Sequence, residues 1–90
     1  MNHESYNMTE KEIISKITPV FRRVMEDENL VLTRDLNASH VDAWDSLNHI
    51  TLVVELEATL NMQFTTDELV KMATVGDLID CVIQKGHEIK

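Results

Sequence analysis

Trp44-Asp45-Ser46-Leu47 joins two stretches of opposite character, and the reading of that join decides the fold. Before it, Thr33 to Ala43 is polar, turn-rich and without a helical apolar period. After it, Leu47, Ile50, Val53, Val54, Leu56 and Leu60 recur with the period of one helix. The change predicts a helix from about Ser46 to Thr59 or Leu60, with Ser46 as its N-cap. A hydroxyl there is exposed and faces the positive end of the helix dipole and its unpaired N–H groups, a setting that suits a phosphate on serine. The plainer reading is a serine that only caps.

Working toward the N-terminus, Thr9-Glu10-Lys11-Glu12 has the capping-box form. Ile13, Ile14, Ile17, Val20, Phe21, Val24 and Met25 then trace one helical face, which predicts a long first helix. Pro19 lies inside it, so a bend near Ile17-Thr18 is expected. Glu26-Asp27-Glu28-Asn29 closes this helix, and a long connection follows to Asp45. Leu30, Val31, Leu32, Leu36 and Val41 offer apolar anchors, so the connection reads as an ordered crossover pinned by some of them. Toward the C-terminus, Asn61-Met62-Gln63-Phe64 is a short connector with Phe64 turned inward. Thr65-Thr66-Asp67-Glu68 restarts a short helix to about Met72. Thr74 caps a last helix from Val75 to about Lys85, with Val75, Leu78, Ile79, Val82 and Ile83 on its apolar face and Gly86 as a stop. No stretch alternates with a strand period, so the chain reads as all-α: a four-helix bundle of three main helices plus a short third, with a long loop between the first and second.

Ninety residues make one small domain, packed mainly by aliphatic side chains and five methionines. The net charge of −8 argues against nucleic acid or an anionic membrane surface as partner and favours a partner with a basic docking patch. Cys81 is the single cysteine, set in an apolar run as a small hydrophobe, so no intrachain disulfide forms. No run is long enough to insert in a membrane, and Met1-Asn2-His3-Glu4-Ser5 lacks the apolar stretch and basic flank of a secretory signal; a cytoplasmic protein is expected. His3, His40, His49 and His87 are scattered and the acids show no calcium-loop spacing, so no metal site is expected.

Asp45-Ser46-Leu47 at a helix start, Glu57 further along it, Phe64-Thr65-Thr66-Asp67-Glu68-Leu69 and Ala73-Thr74-Val75-Gly76-Asp77-Leu78 together resemble the acyl carrier protein family, from about Glu12 to Ile83. The resemblance implies a carrier domain over residues 9–86, with a flexible N-terminus (1–8) and a tail (87–90). It implies no catalytic residue and a covalent 4′-phosphopantetheine on Ser46, with Asp45 and Leu47 beside the attachment point. Asp45 would help position the modifying enzyme; Leu47, Val54, Glu57, Trp44 and His49 would serve partner binding. Implied partners are a phosphopantetheinyl transferase and acyl-loading, acyl-transfer or synthase enzymes, met by a monomer. Trp44 reads either as a buried loop anchor or as an exposed partner contact. The form Trp-Asp-Ser-Leu-x-His, with Asn48, Thr51, Glu55 and Ala58, looks more like stand-alone carriers of specialised pathways than like those of general fatty-acid synthesis.

Three other readings compete. Ser46 and His49 share a helix face beside Asp45, which invites a serine-hydrolase reading, but the two glycines, Gly76 and Gly86, lie far along the chain and no glycine-rich turn offers an oxyanion hole. A cofactor-free helical interaction module accounts for an acidic surface but not for Asp45-Ser46 at the helix start. A peptidyl or aminoacyl carrier would use the same arm, though such carriers more often have a glycine pair where Ala43-Trp44 stands.

Overall fold

In the computed structural model the backbone is described for residues 9–88, and these form four helices: α1 (Glu10–Met25), α2 (Ser46–Leu60), α3 (Thr66–Lys71) and α4 (Val75–Glu88). The expected flexible stretch 1–8 and the last residues of the expected tail lie outside the described residues.

The first helix starts where the sequence places it. Thr9 Oγ1 accepts from the Glu12 N–H at 3.1 Å, and Glu12 Oε1 accepts from the Thr9 N–H at 2.8 Å. Ile13, Ile17, Val20, Phe21 and Met25 form its buried face. Pro19 does not divide it; the helix runs on as one element to Met25, and Thr18 Oγ1 donates to the Ile14 carbonyl on the same turn. Glu26 turns left-handed (φ 56°), so that its N–H reaches Arg23 O and the Asp27 N–H reaches Arg22 O, the two bonds of a Schellman closure.

The connection from α1 to α2 is ordered by side chains and by backbone. Leu32 is buried, and Leu30, Leu36 and Val41 pack against the core, while Val31 points out. A single 3₁₀ turn, Ala38–His40, is capped by Asn37, whose side chain accepts from the Ser39 N–H. The loop carbonyls of Leu36 and Arg34 accept the N–H groups of Val75 and Gly76, at 2.9 and 2.8 Å. The crossover therefore supplies acceptors to donors that the start of α4 would otherwise leave unpaired.

The core lies where α1, α2 and α4 converge, with Phe21, Leu52, Leu56, Val75, Ile79 and Val82 almost fully enclosed. Phe64 turns in, as expected, and α3 closes one side. Thr65 and Glu68 form a second capping box, and the Glu68 carboxylate also receives the Lys85 ammonium of α4 at 3.0 Å. Thr74 caps α4 by accepting from the Asp77 N–H, while Asp77 Oδ2 accepts from the N–H groups of Ala73 and Thr74. Gly86 is not a stop: α4 continues through it to Glu88. A glycine ends a helix where the chain turns left-handed, and here it does not turn.

Candidate functional site

The start of α2 is held by Asp45 rather than Ser46. Asp45 has extended backbone (φ −101°, ψ −176°), and its Oδ1 accepts from the Asn48 N–H at 2.8 Å. Ser46 is one step further in, the first residue of the helix, so the expected cap moves by one position. Both residue types cap well, but the preceding turn fixes the choice. The Trp44 N–H donates to Val41 O, the Asp45 N–H donates to Ala43 O, and Asn48 Nδ2 returns to the same Ala43 carbonyl at 2.7 Å. With Asp45 occupied as cap, the Ser46 side chain is exposed to solvent beside first-turn N–H groups.

Trp44 is a core residue, not a surface contact. Only 8% of it is exposed, and its ring meets the Phe21 ring edge-on with centroids 5.4 Å apart. Burial would strand the indole N–H without an acceptor, and His49 supplies one: Trp44 Nε1–H donates to His49 Nδ1 at 3.0 Å, and the rings lie nearly parallel. That bond fixes His49 half-buried on the first turns of α2, with Nδ1 as the unprotonated ring nitrogen. Glu57, expected to face partners, is half-buried and holds the helix end: its Oε2 accepts from the Phe64 N–H at 2.9 Å and its carbonyl accepts from the Met62 N–H.

The apolar residues of α2 divide between opposite sides. Leu52, Leu56 and Leu60 face the core, whereas Leu47 (73% exposed), Ile50 and Val54 form a stripe in solvent. Val70 of α3 is exposed as well. Exposed Asp45 lies two residues before Leu47 and exposed Asp67 three residues before Val70, so in a chain of net charge −8 these apolar contacts lie within a negative field. Leu47 and Val54 were expected there. Ile50 and Val70 were not, although Ile50 sits three residues after Leu47 and four before Val54, the spacing of one face.

Beside Ser46 the surface is hollowed into an open depression of about 590 Å³, lined by Ala38, Trp44, Asp45, Ser46, His49 and Ile50. Its apolar side chains suit the aliphatic part of a tethered chain, and the exposed hydroxyl at its rim suits a covalent tether; the donor set fits a phosphopantetheine arm. No group of three or more histidine, cysteine, aspartate or glutamate side chains among the described residues is arranged to hold a metal ion. No described helix is long and apolar enough to cross a membrane.

Residues 12–82 match the family model described as "Phosphopantetheine attachment site". Among curated proteins, the chain is 31% identical over 81 residues to an acyl carrier protein of Lactobacillus johnsonii, covering 90% of this chain and 99% of that one. It is 24% identical over 78 residues to an acyl carrier protein of Guillardia theta, covering 87% and 96% of the two chains. Among solved structures, the solution structure of holo acyl carrier protein from Geobacter metallireducens is 43% identical and superimposes with a TM-score of 0.78, over 84% of this chain and 87% of that one. The chain therefore belongs to the acyl carrier protein family. Its role is to bear acyl groups on a covalently attached 4′-phosphopantetheine, and it is a carrier rather than a catalyst. Carriers of this kind work with synthase and transferase enzymes.

Proposed function

We propose that Ser46 is the residue through which this chain bears its phosphopantetheine, and that a phosphopantetheinyl transferase is the enzyme that places it there. The observation that carries the reading is the exposed Ser46 hydroxyl at the first position of α2, with Asp45 already spent as cap. In the modification, Ser46 Oγ bonds to phosphorus as the pyrophosphate bond of coenzyme A breaks. Adenosine bisphosphate leaves with the electron pair, and the hydroxyl proton passes to a base of the transferase. The resulting phosphodiester anion stands at the positive end of the α2 dipole, which offsets its repulsion from Asp45. When attached, the arm supplies a terminal thiol that holds an acyl group as a thioester.

The chain's own residues supply position and recognition. Asp45 fixes the helix start and offers a carboxylate beside the serine for the transferase and its metal-bound phosphates. Leu47, Ile50 and Val54 are the apolar contacts that acyl-loading and acyl-transfer enzymes would meet, inside a negative rim that matches a basic patch. Trp44 and His49 act from beneath as supports. The form Trp44-Asp45-Ser46-Leu47-Asn48-His49 favours a stand-alone carrier of a specialised pathway, and a monomer in the cytoplasm is the simplest setting for it. The deciding experiment is intact mass after incubation with coenzyme A, magnesium and a broad-specificity transferase, for wild type and Ser46→Ala. A gain of one phosphopantetheine on wild type and none on the variant is expected; a gain on both moves the attachment elsewhere.

A further inference from the structure

The bond from Trp44 to His49 settles more than the burial of an indole. An indole N–H can only donate, so the nitrogen it meets at 3.0 Å, His49 Nδ1, carries no proton. The ring proton must then sit on Nε2, away from Trp44. No described residue accepts a hydrogen bond from Nε2. His49 is half-buried and shares a face of α2 with Ser46, three residues earlier. Both line the open depression at the helix start, with Ala38, Trp44, Asp45 and Ile50. Of these side chains, Trp44, Ser46 and His49 bear polar hydrogens. The Trp44 N–H is spent on His49, and the Ser46 hydroxyl loses its proton when an arm is attached. His49 Nε2–H is then the side-chain donor left to the depression. Asp45 adds only acceptors, one of them already held by the Asn48 N–H. A half-buried donor without an acceptor carries a cost that an anion beside it removes.

We infer that His49 binds the arm: its Nε2–H donates to a phosphodiester oxygen of the group borne on Ser46, and Trp44 acts through it as a positioning residue that fixes the tautomer. This inference rests on Ser46 as the attachment point. Side chains three residues apart on a helix start about 5–6 Å from one another at Cβ, a gap that an imidazole and a phosphodiester can close. The donor adds to the first-turn N–H groups in offsetting repulsion between the phosphate and Asp45. A phosphate held at both Ser46 Oγ and His49 Nε2 leaves the arm fewer directions in which to depart from the helix. A histidine that served only to satisfy Trp44 would make the same internal bond and give no response to the arm.

The test compares the unmodified and phosphopantetheinylated wild type by nuclear magnetic resonance, with the modified residue verified by fragment mass. Long-range proton–nitrogen correlations of the imidazole report its tautomer. The unmodified chain should show His49 protonated at Nε2 alone. Attachment should keep that tautomer, move the Nε2 resonance and slow exchange of its proton with water by about tenfold or more, as a hydrogen bond to a charged group does. Overhauser contacts should join the His49 Hδ2 and Hε1 protons to the arm's methylene next to phosphorus. His49→Gln keeps both an acceptor for Trp44 and a donor for the phosphate, so its phosphorus resonance should lie near that of wild type. His49→Ala should move that resonance toward the value of a phosphopantetheinyl-serine peptide. Trp44→Phe frees the tautomer, and both forms of His49 should then be seen. A wild-type His49 protonated at Nδ1, in either state, overturns the inference. So do His49 signals that attachment leaves unmoved, and neither result depends on a variant that folds. A chain that gains no mass, or gains it away from Ser46, sinks the Ser46 reading and the inference with it. Modification at Ser46 with an unresponsive His49 sinks the inference alone.

Discussion

Asp45 carries two duties that a pair of substitutions separates. As cap it satisfies the Asn48 N–H; the second duty, guiding the modifying enzyme as an acid beside Ser46, is the one proposed above. Asp45→Asn keeps an acceptor of equal capping strength, whereas Asp45→Ala removes it at a cost of about 1 kcal/mol. In a domain of this size that is a fall in Tm of about 4–8 °C for alanine and little change for asparagine, read by thermal circular dichroism. Both should slow modification by the transferase, followed by mass; an asparagine variant modified at the wild-type rate leaves Asp45 with the capping duty alone. Glu26 offers the opposite case, a residue that the fold tolerates rather than needs. Its left-handed backbone (φ 56°) costs an L-residue about 1–2 kcal/mol, and glycine's larger unfolded freedom returns about 0.5–1. Glu26→Gly should therefore raise stability by about 0.5–1 kcal/mol in urea unfolding, provided the Asp27-to-Arg22 closing bond is kept. Asn61, which ends α2 in the same conformation, is already one of the residues that accepts it best.

The junction between the crossover and α4 shows how elements depend on one another. Glycine inside a helix ordinarily costs about 0.8–1.0 kcal/mol against alanine, so Gly76→Ala should stabilise if only the helix mattered. A Cβ at Gly76 would lie 2.9 Å from the Arg34 carbonyl oxygen, which also accepts the Gly76 N–H at 2.8 Å. Backbone faces backbone there, so relief requires displacing the loop, and overpacking of this kind costs about 1–3 kcal/mol. The clash wins: Gly76→Ala should lower stability by about 1 kcal/mol in chemical unfolding, and a more stable variant would show that the loop yields freely. At α3, the Thr65 backbone N–H and the Lys85 ammonium hold the Glu68 carboxyl below its ordinary value of 4.5. Its folded form is the more acidic, so its contribution is full above the ordinary glutamate range and is lost as the pH falls through the lowered folded value. The Tm gap between wild type and Glu68→Ala should hold steady above about pH 6 and narrow below about pH 4.5, in melts taken from pH 3 to 7. These elements differ in how far the chain announces them. The boxes at Thr9 and Thr65 are local patterns of four residues, and Phe64 is a lone aromatic between helices; both are legible without a fold. Asp45 and Ser46 compete as caps until the path of the preceding turn decides, and Gly86 becomes a helical residue because the backbone there stays right-handed. α2 is apolar on two sides, so its period locates a helix but cannot say that Ile50 faces water and Leu52 the core. The Trp44–His49 bond depends on where the crossover delivers the indole, and no spacing encodes that.

At the scale of the whole molecule, one quantity dominates: a net charge of −8 held within a radius of gyration of 12.9 Å. Like charges 15–20 Å apart in water repel by about 0.2 kcal/mol per pair, and over all the pairs among the excess charges this reaches several kcal/mol. An expanded chain spreads the same charges further apart, so the repulsion opposes folding. Against it stand ion pairs that cross between elements: Arg34 with Glu10 and Asp80, Arg23 with Glu55, and Lys85 with Glu68. Arg34 and Arg23 are about half exposed, and pairs of that kind contribute about 0–1 kcal/mol each. Salt weakens both sides of this balance, but the repulsion acts over distances longer than the Debye length of about 8 Å at 0.15 M, where screening is nearly complete, while contacts near 3 Å are screened less. Added salt must then stabilise this chain. Between about 0.01 and 0.15 M sodium chloride the Tm of the unmodified protein should rise by about 5–10 °C. Potassium should match sodium, since the effect is screening and needs no specific site. Attachment of one more anion at the start of α2 should steepen the rise slightly rather than reverse it. A Tm that stays flat or falls with salt would mean that the ion pairs outweigh the repulsion, and that the acidic surface serves partner recognition without straining the fold.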